Sequence, residues 1–453
     1  MNAHSSIPPH DPLAVDMRPI ASVKPASRNA RRHSDRQIAQ VEASIRRYGF
    51  INPIIVDVAS VVVAGHARLE AARRMGLVAV PVIPVSHLSD AELRAYRLAD
   101  NKIATNADWD QDILRIELSE LAMIDTSSDF EVPGFSTTEI DLAMEVIPAN
   151  AKLEEQPDLE PREVTGVERG DLWQLGAHRL LCGDARDPAS FARLMGEDLA
   201  RMVFSDPPFN VKVDGHVGGL GRTKHAEFAM ASGEMSREEF TEFLAVVFGN
   251  AHAVSIDGAI HYQCMDWRHI PEMIMAGERI YASLENMCTW VKDNGGMGSF
   301  YRSQHELVFV WKVGTAPHLN NVELGRNGRY RTNVWNYRGA TKTGADAELT
   351  MHPTVKPVPM IMDAIKDTSK RGEIVLDPFG GSGSTLLAAH KTGRVGRLIE
   401  YEPKYCAVTI RRWEKLAKRE AVLLATGETF AEVHARRNAE IERLADLALG
   451  EAA

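Results

Sequence analysis

No apolar run in this 453-residue chain approaches the ~18–20 residues that a membrane-crossing helix needs. The stretch from Ile54 to Gly65 is broken by Asp57. The N-terminus, MNAHSSIPPHDP, has no apolar signal core, so secretion is not indicated and a cytoplasmic location is expected. Cysteine is scarce: Cys182, Cys264, Cys288 and Cys406 lie far apart with no CxxC pair. That argues against a zinc site or a disulfide framework, so no metal is expected and the thiols are read as reduced. Positive charge is also in deficit, with Lys plus Arg at 52 against Asp plus Glu at 62, a net −10. A histone-like coat driven by charge is excluded; any nucleic-acid contact must use local basic patches. What is present is ordinary: 44% hydrophobic and 25% charged residues, enough chain for two or three domains around large cores.

The first dozen residues are polar and rich in Pro and His, and read as a disordered tail. A basic stretch follows, with Lys24, Arg28, Arg31, Arg32 and Arg36 against a lone Asp35. Ser34 is placed to cap a helix running through Arg47, and strand-like runs follow at Ile54–Val58 and Val61–Ala64. A helix from Arg68 to Met75, a strand at Val78–Val85 and a helix at Asp90–Asn101 complete a compact α/β module over residues 13–105. Residues 106–147 read as a helical extension interrupted near Pro133 and Gly134, and 148–166 as a linker. From Pro148 to Glu168 there are three prolines and six acidic residues with little periodicity. Beyond the linker, apolar runs alternate with helical patterns: Met202–Phe204, Ala259–Gln263, Leu307–Trp311, Ile374–Leu376 and Gly396–Ile399. Such alternation predicts an α/β domain over 167–420 with a mainly parallel sheet, followed by a polar helix over 421–453.

Two segments carry chemistry. In Val375-Leu376-Asp377-Pro378-Phe379-Gly380-Gly381-Ser382-Gly383-Ser384-Thr385, a buried strand ends at Asp377 and a glycine loop turns into a helix over Thr385–Lys391. Ligands sit at the carboxyl ends of such strands, and glycine lets backbone approach them closely. A dinucleotide fingerprint would need glycine where Leu386 stands, and Gly-Lys-Ser/Thr does not occur. A small, non-phosphorylated nucleoside ligand fits better, with Glu400 at the end of the next strand to accept ribose hydroxyls. In Met202-Val203-Phe204-Ser205-Asp206-Pro207-Pro208-Phe209, an acid, two prolines and an aromatic follow a strand. Proline fixes φ and lacks an N–H, so Asp206 and the Pro207 carbonyl read as a rigid acceptor pair for an exocyclic amino group. Phe209 offers a stacking face for a planar base. Either segment alone is also what an ordinary strand-end turn looks like; together they are far more specific.

From about Val167 to Lys418 the chain resembles the DNA amino-methyltransferases, which methylate adenine N6 or cytosine N4 using S-adenosyl-L-methionine. Asp206–Phe209 is similar to their catalytic motif, Asp377–Gly383 to the cofactor loop and Glu400 to the ribose-binding acid. His352-Pro353-Thr354-Val355-Lys356-Pro357 resembles the HPTxKP segment before that loop, and Gly183-Asp184 a motif whose acid contacts the cofactor adenosine. Trp290-Val291-Lys292 and His305-Glu306 also match the pattern. Catalytic motif first and cofactor loop last is the order of the β group. The resemblance thus implies a Rossmann-like methyltransferase domain with catalytic Asp206, Pro207, Pro208 and Phe209. It implies cofactor contacts from Asp184, Lys356, Asp377, Phe379, Gly381, Gly383 and Glu400. Target recognition would fall over residues 312–351, where Arg326, Arg329, Arg331, Arg338 and Lys342 are interleaved with Tyr330, Trp335 and Tyr337. Those four arginines are the expected contacts to double-stranded DNA, although a solvated basic loop has the same composition. Gly215, Gly218, Gly219 and Gly221, with Lys212, Arg222 and Lys224, make the segment after Phe209 either a closing flap or a plain loop.

The N-terminal module resembles the ParB/sulfiredoxin superfamily. Tyr48-Gly49-Phe50-Ile51-Asn52-Pro53-Ile54 and Ala64-Gly65-His66-Ala67-Arg68 carry that resemblance. The second is similar to the GERR nucleotide-binding box, with Gly65 and Arg68 kept and His66 and Ala67 departing; Asp100-Asn101 is similar to a later box. A nucleotide held by Gly65, Arg68 and Asn101 is what this resemblance implies, while the departures count against hydrolysis. His66 reads as an ordinary helix-start residue. The leading expectation is a site-specific, adenine-N6 DNA methyltransferase of restriction–modification or phage type. Cytosine-N4 methylation is the alternative within the class. A ParB-like DNA-binding or nucleotide-switch protein with an inactive methylase domain is the alternative outside it. A homodimer is left open.

Overall fold

The computed structural model describes residues 13–107, 109–124, 132–144, 166–210, 233–292, 295, 300–322, 331–337 and 356–450. The expected N-terminal tail, nearly all of the expected linker, the glycine-rich segment after Phe209, and Arg326, Arg329, Tyr330, Arg338, Lys342 and His352–Val355 lie outside these residues. The chain forms two units, Met1–Asp125 with Glu131–Glu145, and Thr126–Phe130 with Val146–Ala453.

The first unit contains β1 (Asp16–Pro19), α1 (Asp35–Tyr48), β2 (Ile54–Asp57), β3 (Val62–Ala64), α2 (His66–Arg74), β4 (Ala79–Val85), α3 (Asp90–Ile103), α4 (Gln111–Ile124) and α5 (Thr137–Ala143). Ser34 accepts the Gln37 N–H and starts α1, as its sequence position suggests. The sheet order is β1-β4-β2-β3. Val23, Ile54, Val56, Val62, Leu69, Ala72, Val80 and Val82 close its core. Strand β1 was not expected, because its residues are mostly exposed and show no apolar alternation. Helix α2 begins two residues earlier than the apolar pattern suggests. Gly65 takes φ +104 at its N-cap, a conformation that other residues avoid.

The second unit holds β5 (Leu172–Leu175), β6 (His178–Cys182), α6 (Pro188–Met195), β7 (Ala200–Ser205), α7 (Arg237–Ala253), β8 (Ser255–Met265), α8 (Ile270–Ile280), β9 (Ser283–Val291), β10 (His305–Lys312) and β11 (Val334–Asn336). It continues with α9 (Val358–Thr368), β12 (Ile374–Asp377), α10 (Ser384–Lys391), β13 (Val395–Glu400), α11 (Pro403–Ala417), β14 (Val422–Leu423) and α12 (Phe430–Gly450). Among the described residues one sheet runs β11-β9-β10-β8-β7-β12-β13-β6-β5-β14. The five central strands, β8 to β6 in that order, are mutually parallel.

The sheet is mainly parallel, as expected, with antiparallel pairs added on its flanks. Strand β10 is antiparallel to both β8 and β9, and β5 is antiparallel to β6. The reversal of β5 follows from a short connection. Gly176 and Ala177 alone join β5 to β6, too few residues for the helical crossover that a parallel pair requires. Strand β14 then adds to β5, so the C-terminal segment contributes a strand before its helix.

Helices cover both faces of the sheet. On β7, Val203 packs with Leu244 and Phe248 of α7, whereas Met202 and Phe204 pack with Ile361 and Ile365 of α9. Period-two alternation between two apolar layers makes Met202–Phe204 continuously apolar, so polar chemistry gathers at the end of the strand.

Candidate active site

Because β6, β13, β12 and β7 are parallel neighbours, their carboxyl ends share one rim. Four acids far apart in sequence meet along it. Asp184 follows β6, Glu400 ends β13, Asp377 ends β12 and Asp206 follows β7. The Gly183 N–H donates to the Glu400 carbonyl at 2.9 Å, stitching two of these ends together.

The glycine loop is pinned from below. Gly380 N–H donates to the Ile399 carbonyl at 2.8 Å, Thr409 Oγ1 to the Gly381 carbonyl at 3.0 Å, and Arg412 to the Ser382 carbonyl at 2.6 Å. At Gly383, φ is +85 and a Cβ would lie 2.7 Å from Thr409, so only glycine fits. At Gly381, φ is +49 and a Cβ would meet only the Phe379 carbonyl, at 3.9 Å; the space above the loop is open. Glu400 Oε2 accepts the Gly381 N–H at 2.7 Å and Oε1 accepts the Glu402 N–H at 2.8 Å. Asp377 Oδ1 accepts the Phe379 N–H at 3.0 Å. Burial nevertheless pushes both carboxyl groups up to about 7, because those hydrogen bonds only partly offset lost hydration. Asp184 differs. Burial would raise it, but hydrogen bonds from Arg186 hold it below its ordinary value.

The second cluster surrounds Asp206. Lys356 Nζ lies 2.7 Å from Asp206 Oδ2 and 3.0 Å from Glu306 Oε2, while Lys292 Nζ donates to Glu306 Oε1. The Lys356 ammonium also stands 5.3 Å from the Phe209 ring centre and 5.9 Å from that of Trp290. Two carboxylates, two ammonium groups and two aromatic faces thus form one half-dry box of zero net charge. Burial raises the Asp206 carboxyl, with Lys356 opposing and Glu306 reinforcing that shift. Glu306 is held low by its two lysines against the effect of burial, and Lys356 is raised by its two acids and stays charged. Asp206 Oδ1 is buried and has no hydrogen-bond partner among the described residues. An unpaired buried acceptor is costly, so such an atom points to a missing donor. Just beyond Phe209, Asn210 (φ +52) accepts from Gly233 N–H at 3.0 Å and donates to the Met235 carbonyl at 2.9 Å, clamping the far end of the next segment.

Three of the expected site residues have partners within the protein. Lys356, expected at the cofactor, has its ammonium bound by Asp206 and Glu306. Arg331 was assigned to DNA, yet its guanidinium is largely buried against Asp367 at 3.0 Å, Asp363 at 3.3 Å and the Tyr337 hydroxyl at 2.6 Å. Trp335 is buried in the sheet core, so it is a packing residue and not a base-stacking one. Glu306 and Lys292 were noted as pattern matches without a role. Their signal was an acid and a cation at the rim ends of β10 and β9.

In the N-terminal unit, the Arg68 side chain lies 3.1 Å from where a Cβ on Gly65 would stand. Asn101 Oδ1 accepts from Arg31 at 3.0 Å. A cavity of about 360 Å³ in the same unit is lined by Pro25, His33, His66, Leu69, Glu70 and Arg73 among others, and not by Gly65, Arg68 or Asn101. His66 is driven down to about 4 by burial and by Arg97 and His33, so it is neutral at pH 7.

Comparison with known proteins matches this division. The pattern of the family described as DNA methylase covers residues 200–411, and that of the ParB N-terminal domain covers residues 12–102. The ParB-like nuclease domain-containing protein YnaK of Escherichia coli (strain K12) is 39% identical over 80 residues, which is 18% of this chain and 92% of that protein. The Type II methyltransferase M2.DpnII of Streptococcus pneumoniae is 26% identical over 243 residues, 50% of this chain and 87% of that protein. Among solved structures, the cytosine-N4-specific PvuII DNA methyltransferase aligns with 59% of this chain and 94% of its own, at 14% identity and a TM-score of 0.40. No helix among the described residues is long and apolar enough to cross a membrane. The chain therefore belongs to the ParB N-terminal domain family through its first unit and carries, in its second, a DNA methylase domain of the N6/N4 family.

Proposed function

We propose that this chain transfers a methyl group from S-adenosyl-L-methionine to the exocyclic N6 of an adenine flipped out of double-stranded DNA. The observation that carries the reading is the buried Asp206 Oδ1, without a hydrogen-bond partner among the described residues, at the head of a proline-stiffened turn. The cofactor fits the residues present. Gly381 leaves open space where a side chain would block a ligand, Glu400 keeps lone pairs for ribose hydroxyls, and Asp377 and Asp184 sit on the same rim. When bound, S-adenosyl-L-methionine supplies an electrophilic methyl group on a sulfonium.

The protein's own residues prepare the nucleophile. The adenine amino lone pair is delocalised into the ring. Asp206 Oδ1 and the Pro207 carbonyl, each accepting one N–H, favour a more tetrahedral nitrogen whose lone pair faces the methyl group. Once the N–C bond forms, the nitrogen carries an excess proton, and Asp206, with its raised affinity for protons, takes it. Lys356 keeps Oδ2 occupied so that Oδ1 stays aimed at the base. The base must leave the duplex for any of this, at a cost of a few kcal/mol that Phe209 stacking offsets in part. Transfer to cytosine N4 would use the same acceptors; Asp, where N4 enzymes commonly place Ser, favours adenine. Labelled methyl transfer to DNA of random sequence, followed by nucleoside mass spectrometry, tests both. N6-methyladenine is the expected product, N4-methylcytosine would replace the base assignment, and unlabelled DNA would refute the reading.

The raised carboxyl groups set a pH dependence for the cofactor. A cationic ligand favours ionised Asp377 and Glu400, so binding should tighten between pH 6 and pH 8 and release protons, by up to roughly tenfold per unit per group below pH 7. In the free domain the same shifts act in the opposite direction. Folded values above the unfolded ones cost stability as pH rises from about 4 to about 7. Calorimetry in buffers of different ionisation enthalpy reads both effects. Binding that is equally tight at pH 6 and pH 8, without proton release, would remove these two acids from the cofactor site.

A further inference from the structure

Three large aromatic side chains stand in solvent on the active-site rim. Phe300, Tyr301 and Trp267 are 86%, 80% and 49% exposed, an expensive arrangement unless something covers them. Topology places them. Strand β8 runs parallel to β7, with Gln263 level with Ser205, so Trp267, two residues past the end of β8, lies on the same edge as Asp206. Strand β10 starts on that edge, because Leu307 pairs with Met265. Phe300 and Tyr301 lie in the connection that leads into it, five and four residues before His305. Trp267 Nε1 donates to Ser303 Oγ at 3.1 Å, joining the two connections into one surface. Phe300 and Tyr301 meet edge to face, with ring centres 4.5 Å apart. One step inward, Glu306 is bridged to Asp206 by Lys356.

Charge on this surface is mixed but leans basic at its tip. Arg268 lies 4.9 Å over the Trp267 ring and pairs with Asp266 at 2.9 Å, and Arg302 is exposed beside Tyr301. Aromatic faces beside guanidinium groups are suited to unstacked bases and their phosphates.

We propose that Trp267, Phe300 and Tyr301 form an aromatic platform that takes up the bases left unstacked beside the flipped nucleotide, with Arg268 and Arg302 on the flanking phosphates. This rests on the reading of the second unit as a DNA methylase and extends it to a surface separate from the expected recognition segment at 312–351. The platform fills the gap that base extrusion opens and so favours the extruded state.

The test uses the full chain and a duplex carrying the methylation site mapped for the wild type, with 2-aminopurine at the target position. A Phe300→Ala/Tyr301→Ala variant should lose roughly tenfold or more in the flipped-base fluorescence and in DNA affinity, the loss of one stacked base. S-adenosyl-L-methionine affinity should stay unchanged, and Phe300→Trp/Tyr301→Trp should restore both DNA readouts. Wild-type fluorescence and affinity in the double alanine variant would overturn the platform. A changed oligomeric state with unchanged DNA binding would also overturn it and assign the surface to a second copy of the chain. A wild type that methylates no DNA would instead overturn the functional reading beneath it.

Discussion

Asp206→Ala should abolish detectable methyl transfer, a loss of at least roughly a hundred- to a thousandfold in kcat by analogy with removal of a preorganised polar group in other active sites. Cofactor affinity should barely change, because the hydrogen bonds that hold the glycine loop come from α11 and β13 and none of them runs through Asp206. Folding should also survive. Lys356 keeps Glu306 at 3.0 Å, so the truncation leaves no isolated buried charge. Asp206→Asn should fall between. Its amide oxygen can accept one amino N–H, but it cannot take the proton released by transfer and it loses the ion pair with Lys356. Single-turnover methylation with calorimetry on the same samples separates these outcomes. Full turnover in Asp206→Ala would remove the acceptor mechanism altogether, since no cysteine stands ready as an alternative nucleophile. All four cysteines are buried, and burial pushes the Cys264, Cys288 and Cys406 thiols well up.

The rim was legible in the sequence to the extent that its residues end apolar strands. Asp377, Glu400 and Asp206 each follow a hydrophobic run, and parallel strands deliver their ends to one edge whatever the details of packing. Lys356 shows where that reasoning stops. It lies in a segment without apolar periodicity, and only three-dimensional closure determines whether its ammonium meets the glycine loop or the catalytic acid. Arg331 shows the converse. A basic, aromatic stretch has the composition of a nucleic-acid contact, but Asp363 and Asp367, one turn apart on α9, claim its guanidinium. Local composition carries no information about a partner some thirty residues away. The antiparallel flanks were hidden for a similar reason. Runs such as Leu307–Trp311 read as buried strands with no direction; the two-residue connection decides it for β5 and β6, whereas residues 292–304 between β9 and β10 are long enough for either sense.

The ion cluster predicts opposite effects for removal of Lys356 and removal of Glu306, which is where its role can be read. Lys356→Met removes the cation from between Asp206 and Glu306 and leaves two buried carboxylates facing each other. Breaking a buried pair in this way costs roughly 3–5 kcal/mol unless one acid takes a proton. Asp206 is the one to do so, because Lys292 still holds Glu306. Asp206 must be ionised to accept both the N–H bond and the released proton. The acid limb of kcat/KM should therefore move to higher pH, with activity lost at neutrality and partly regained in alkali. Glu306→Gln acts the other way. Lys356 then serves Asp206 alone, a like charge is gone, and the acid limb should move to lower pH. Lys356→Arg keeps the charge and should keep most of the wild-type profile. The other titratable groups around Asp206 and Lys356, namely Lys292, Cys264 and Asp377, are unchanged in all three variants and give no reason for shifts of opposite sign. Thermal unfolding should show Lys356→Met as the least stable of the set, with its deficit shrinking as pH falls and a carboxyl becomes neutral. Acid limbs that coincide in all three variants would show that the cluster only packs the domain, and that Asp206 sets its own ionisation without it.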